Sequence, residues 1–159
     1  MKFALLPFLL LGMVLGKMGT APAGTAAPDF SLDTAGEPRK VTLSEVVGGN
    51  PVLLVFWASW CPACREEIPV LNEWYRTWSP RGLKILSVNV EEPPAAVLKF
   101  SKQQKIEYPV LLDREGETAN RFGLVGLPAA ILLAKGGKIL YYGFSLPNLE
   151  RYWEKGELR

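Results

Sequence analysis

The chain has no histidine and only two cysteines, and these scarcities exclude several chemistries at once. A structural zinc site wants four ligands, usually Cys or His, so no metal site is expected. A c-type haem attachment needs histidine directly after its second cysteine, and Arg65 stands there. A peroxide-reducing cysteine would carry Pro and Thr at fixed upstream offsets; Cys61 has Leu54 and Ala58 instead. Charge of one sign is also missing. Setting aside Lys2 and Lys17, 16 basic residues face 16 acidic ones. Nucleic acid or an anionic membrane would need clustered basic charge, so neither is an expected partner. There is no internal repeat, and no cofactor is expected.

Long apolar runs are few as well. Residues 3–16 form one at the N-terminus, interrupted by Pro7 and closed by Lys17. It is shorter than the ~20 residues that span a bilayer comfortably. Lys2 supplies a minimal basic start, and Ala21-Pro22-Ala23 a small-residue processing site before an Ala, Gly, Pro and Thr linker. Residues 1–27 are expected to be a signal peptide or N-terminal membrane anchor plus linker, and 28–159 one folded domain. No cysteine lies in this leader, so a lipoprotein anchor is excluded. Either form of leader exports the domain to a periplasmic or other extracytoplasmic space, where disulfides form.

What the chain does have is Cys61-Pro62-Ala63-Cys64 at a junction of two patterns. Residues 52–57 are a continuous apolar run, which reads as a central strand covered on both faces. After the cysteines, Ile68, Leu71, Tyr75 and Trp78 recur at helical spacing. Pro62 suits the first helical position, where its missing N–H costs nothing, and Pro69 should bend the helix. A dithiol here puts its first sulfur at a helix N-terminus, where free N–H groups and the dipole favour a thiolate. Cysteines two residues apart can close into a small disulfide and reopen. So short a ring removes little loop entropy, which weakens a purely structural role.

The remaining pattern alternates strands with helices. Residues 30–32 and 39–43 read as a hairpin, 84–90 and 109–112 as strands, and 129–134 with 138–144 as a hairpin turning at Gly136-Gly137. Residues 62–78, 94–104, 117–122 and 147–155 read as helices, the second with Val97, Leu98, Phe100 and Ser101 inward. Five tryptophans are read as core packing. The class is α/β, with a mixed central sheet flanked by helices.

With this order of elements, the motif makes the chain resemble the thioredoxin superfamily. It looks most like exported TlpA/ResA-type thiol–disulfide reductases, whose members serve cytochrome c maturation. The likeness is carried by residues 27–32, Trp57-Ala58-Ser59-Trp60-Cys61-Pro62-Ala63-Cys64, Pro69, residues 87–92, residues 108–113 and Gly126-Leu127-Pro128. It implies a thioredoxin-like fold with an added N-terminal β-hairpin, a redox-active Cys61–Cys64 disulfide, and a cis Leu127–Pro128 bond packed against it. It implies disulfide-bearing protein substrates and a membrane thiol donor, with the chain acting as a monomer. Thioredoxins carry a buried aspartate where this chain has Val55; the resembling branch places an acid where Glu67 stands. The family's frequent Thr after the cis-proline is Ala129 here.

Each candidate then has a role. Cys61, expected to be the more exposed sulfur, attacks; Cys64 resolves the mixed disulfide; Glu67, three residues on, takes the proton from Cys64. Trp60, Pro62, Ala63, Leu127, Pro128 and Glu92 are candidates for substrate contact, whereas Glu66 reads as a solvated acid and Trp57 as core. A second class of function is a binding module for copper or a partner, with the cysteines as ligands. Copper-delivery members of the superfamily usually add a histidine, and this chain has none.

Overall fold

Val52–Trp57, the uninterrupted apolar run, is the middle of a sheet, and all six residues are buried. A computed structural model describes residues 23–159; most of the expected leader lies outside these. In chain order the elements are β1 (Ser31–Thr34), β2 (Lys40–Thr42), α1 (Leu43–Gly49), β3 (Val52–Trp57), α2 (Pro62–Trp78), β4 (Lys84–Val90), α3 (Pro94–Gln103), β5 (Val110–Asp113), α4 (Glu117–Arg121), β6 (Ala129–Leu133), β7 (Ile139–Gly143) and α5 (Leu149–Glu154).

The seven strands form one sheet in the order β2-β1-β5-β4-β3-β6-β7. β3 pairs parallel with β4, and β4 with β5, each link made by a crossover helix, α2 or α3. The other pairings are antiparallel. The N-terminal hairpin therefore extends one edge of the sheet through β1 against β5.

Alternation along β3 sorts the core into two faces. Val52, Leu54 and Phe56 pack with Val88, Leu111, Phe122 and Ile131 under α1 and α4. Leu53 and Val55 pack on the other face with Leu71 and Trp78 of α2 and Leu149 of α5. Trp57 continues that second face toward Val97, Val110, Leu112 and both cysteines. The two layers make the β3 strand inaccessible from either side, and its end delivers the chain to α2.

Two expectations change. α1 was not anticipated; it follows β2 without a break and ends in two glycines, which disguise it. Thr42-x-x-Glu45 is a helix-start pattern that could have found it, although the cap is supplied by Asp29 Oδ1, which accepts from the Ser44 N–H at 2.9 Å. The chain also joins the sheet ahead of β1. Gly24 N–H donates to the Ile139 carbonyl, Ala27 N–H to Gly137, and Ile139 N–H to Thr25. These bonds cover part of the exposed edge of β7. Finally, not every tryptophan is core: Trp78 is buried against Trp153, but Trp60 is 67% exposed.

Candidate functional site

The dithiol sits where β3 ends. The chain leaves Trp57 through Ala58, Ser59 and Trp60, and Cys61 becomes the N-cap of α2. Its Sγ accepts from the Cys64 N–H at 3.2 Å, so the first sulfur lies on one of the free amides of a seventeen-residue helix. Pro62 opens the helix, and α2 continues through Pro69. Cys61 and Cys64 are joined as a disulfide, with Cα atoms 5.3 Å apart.

The expectation that Cys61 is the more exposed sulfur fails. Both cysteines are 4% exposed, because Trp57, Val97, Val110 and Leu112 enclose them and Leu127 and Phe100 pack on the same cluster. What separates the two is position: Cys61 caps the helix, and Cys64 lies inside its first turn. Pro62 and Ala63, between them, are exposed.

Leu127–Pro128 is a cis peptide bond. Pro128 is buried at the start of β6, and half-buried Leu127 touches the cysteine cluster. The 126–128 turn is thus brought to the dithiol from the neighbouring strand, which antiparallel pairing of β6 with β3 dictates, since Ala129 lies opposite Phe56.

Glu67 lies one turn beyond Cys64 on α2. Its carboxyl is pushed up to about 7 by burial, and its Oε2 is buried with no hydrogen-bond partner among the described residues. Burial, and then the charge of Glu67, push the Tyr108 phenol upward, which places Tyr108 within the field of that carboxylate. Val55 holds the position of the thioredoxin aspartate and is 2% exposed, so β3 supplies no acid to this site. A carboxyl titrating near neutrality, one helical turn from a buried thiol, is suited to exchange a proton with it.

Glu92 reaches the same loop from the end of β4. The Ser59 N–H donates to its Oε2 at 2.7 Å, the Ser59 hydroxyl to its Oε1, and Asn89 Nδ2 to Oε2 at 2.6 Å. Arg65 Nε donates to the Ser59 carbonyl at 2.7 Å, and its guanidinium lies 5.5 Å from the Phe100 ring. Sequence reasoning missed Ser59, Asn89 and Tyr108. A signal existed for Asn89: with Ser87 it is one of two polar residues sharing a face of a strand whose interior is otherwise apolar. Trp60 stands exposed between this loop and Cys61. Among the described residues no group of His, Cys, Asp or Glu could hold a metal ion, and no helix is long and apolar enough to cross a membrane.

Residues 23–142 match the AhpC/TSA family. A thiol-disulfide oxidoreductase ResA from Geobacillus thermodenitrificans is 38% identical over 117 residues, covering 73% of this chain and 66% of that protein. The chain thus spans just under two thirds of the length of the curated relatives it matches. The thioredoxin domain of a thiol-disulfide oxidoreductase from Bacteroides vulgatus superposes with a TM-score of 0.75 at 24% identity, over 86% of this chain and 98% of that one. StoA from Bacillus subtilis superposes at 0.68 with 27% identity, over 86% and 100%. The fold is thioredoxin-like, and the expected resemblance to ResA-type proteins holds.

Proposed function

Since the chain belongs to the AhpC/TSA family, we propose that it is a thiol–disulfide oxidoreductase of the ResA type, reducing disulfides in partner proteins outside the cytoplasm. The observation that carries this reading is the pairing of an N-cap cysteine with a half-buried acid one turn past its partner.

In the reduced state the Cys61 thiolate attacks one sulfur of a substrate disulfide. A Cys61–substrate disulfide forms, and the other substrate sulfur leaves as a thiolate and takes up a proton. Glu67 then accepts the Cys64 proton. The Cys64 thiolate attacks Cys61 Sγ, the mixed disulfide breaks, and the second substrate thiolate leaves. Two electrons have passed to the substrate, and Cys61–Cys64 is a disulfide. An external thiol donor, placed by this reading in the membrane, must regenerate the dithiol.

The direction follows from the same acid. An ionised carboxylate near the dithiol disfavours a second negative charge, so the Cys61 thiolate is not stabilised as strongly as a powerful oxidant requires. The names of these relatives state thiol–disulfide exchange; the haem-site cysteines of an apocytochrome c or a copper-site assembly protein are the substrates this reading adds from the family resemblance. The apolar leader supports export, by cleavage or by anchoring. In this reading the monomer presents exposed Trp60, together with Leu127 on the cysteine cluster, to the substrate.

The test is a Cys64→Ala variant expressed in the host, which keeps the attacking sulfur and removes the resolving one. It should accumulate a mixed disulfide through Cys61 with a cysteine-bearing exported protein. Failure to trap any protein, with Cys61 found reduced, would defeat the reading.

A further inference from the structure

Two acids follow β4 in succession, and the backbone separates them. Glu91 has φ 56, a left-handed conformation that is strained for a non-glycine residue. Its N–H donates to the Asp113 carbonyl at 2.9 Å, and its side chain lies against Gly116. The turn sends Glu92 the other way, to the loop between β3 and α2. There its two oxygens take three donors from two residues: the N–H and hydroxyl of Ser59 and the side-chain amide of Asn89. A carboxylate is acceptor-only when ionised, so this set of donors matches the charged form. Bonds of that kind are roughly twice as strong as neutral ones. Ser59 is held from the other side by Arg65 at its carbonyl. Both backbone groups and the hydroxyl of this one residue are fixed, immediately before exposed Trp60 and the N-cap cysteine.

We propose that Glu92 is a positioning residue for the exchange reaction, its carboxylate clamping Ser59 so that Trp60 is presented to a protein substrate beside Cys61. It acts through Ser59, with its oxygens turned to donors of its own chain and not to the substrate. The clamp rests on the reading that Cys61 attacks protein disulfides. Asn89 belongs to it, because Trp57 and Asn89 are register partners across β3 and β4, so the loop is tied to the strand that flanks its own.

The full-length protein tests this in wild-type form and as Glu92→Ala, Glu92→Gln, Ser59→Ala and the Glu92→Ala/Ser59→Ala pair. Reduced protein is mixed with insulin, a protein disulfide, and separately with glutathione disulfide. Glu92→Ala should slow attack on insulin about tenfold, since small misplacements of a reacting surface are costly, and attack on glutathione disulfide by less than about threefold. Glu92→Gln should fall between, because its amide group confronts donors with a donor. Ser59→Ala should lose part of the rate, and the double variant should be less than additive. Hydrogen exchange of the Ser59 amide should quicken at least about tenfold in Glu92→Ala while β3 amides stay protected.

Unchanged Ser59 protection or an unchanged insulin rate would make Glu92 an ordinary loop acid. Loss of protection throughout β3 would reduce it to a stability residue. Equal slowing with both disulfides would put the fault at the sulfur and not in presentation. If the wild type reduces neither disulfide, the exchange reading falls by itself, while Ser59 exchange still decides whether the clamp exists.

Discussion

A carboxyl held near neutrality links the stability of this protein to its chemistry. Glu67 titrates at about 7 in the folded chain against an ordinary value of 4.5. Between those two values the folded state binds more protons than the unfolded one, so stability falls as pH rises through the window and levels off above it. Glu67→Gln should flatten that slope and leave the oxidised protein more stable than wild type above about pH 7, read from urea midpoints across the range. A wild-type profile already flat from 4.5 to 7 would show the acid to be solvated. The same substitution should slow release of reduced substrate roughly 10²-fold while sparing formation of the mixed disulfide, in single-turnover kinetics. The sulfurs obey a different logic. With equal exposure, Cys61 should still be alkylated faster than Cys64 in the reduced protein, because it caps α2 and its thiolate meets the helix amides. Equal rates would reverse or dissolve the assigned roles.

Elements read well from sequence where one periodicity ran without competition. β3, α2 and β4 fall at the expected boundaries, because apolar runs, Pro62 and the Pro80-Arg81-Gly82 break each specify a start or stop. α1 was hidden because seven residues are too few to display a helical period, and glycines occupy its last turn. The covering of β7 by residues near 24–27 was hidden for another reason: it uses backbone groups, which leave no trace in side-chain pattern. The site divides in the same way. Cys61 and Cys64 were legible as a closely spaced pair at a strand–helix junction, whereas Glu67 and Pro128 were singled out through the family resemblance. The Ser59–Glu92–Asn89 cluster was not legible, because Ser59 and Glu92 lie 33 residues apart and meet only through parallel pairing of β3 and β4. Asp113 was also unread, although its partners lie only five and six residues on. Buried at the end of β5, it accepts from the Thr118 and Ala119 amides at 3.1 and 2.8 Å, fastening the start of α4. Asp113→Ala leaves two buried donors unpaired and should cost about 2–3 kcal/mol, measurable by urea unfolding; a loss under about 0.5 kcal/mol would mean that water replaces the carboxylate.

At the scale of the whole molecule, the dithiol should equilibrate with a glutathione or dithiothreitol buffer as a two-electron couple below about −200 mV. A value near −120 mV would assign the protein to the oxidants. The geometry of the β7 edge adds a further consequence. Gly24 bonds to Ile139, Ile139 stands opposite Leu133, and Leu133 opposite Val52. Gly24 therefore joins the sheet level with the beginning of β3, whereas the sulfurs lie past its other end, about 17 Å away along the strand. Whatever precedes residue 24 is attached at the pole remote from the reactive one. A membrane, a surface or a fused protein joined through that pole would leave the opposite pole, with the dithiol, facing outward.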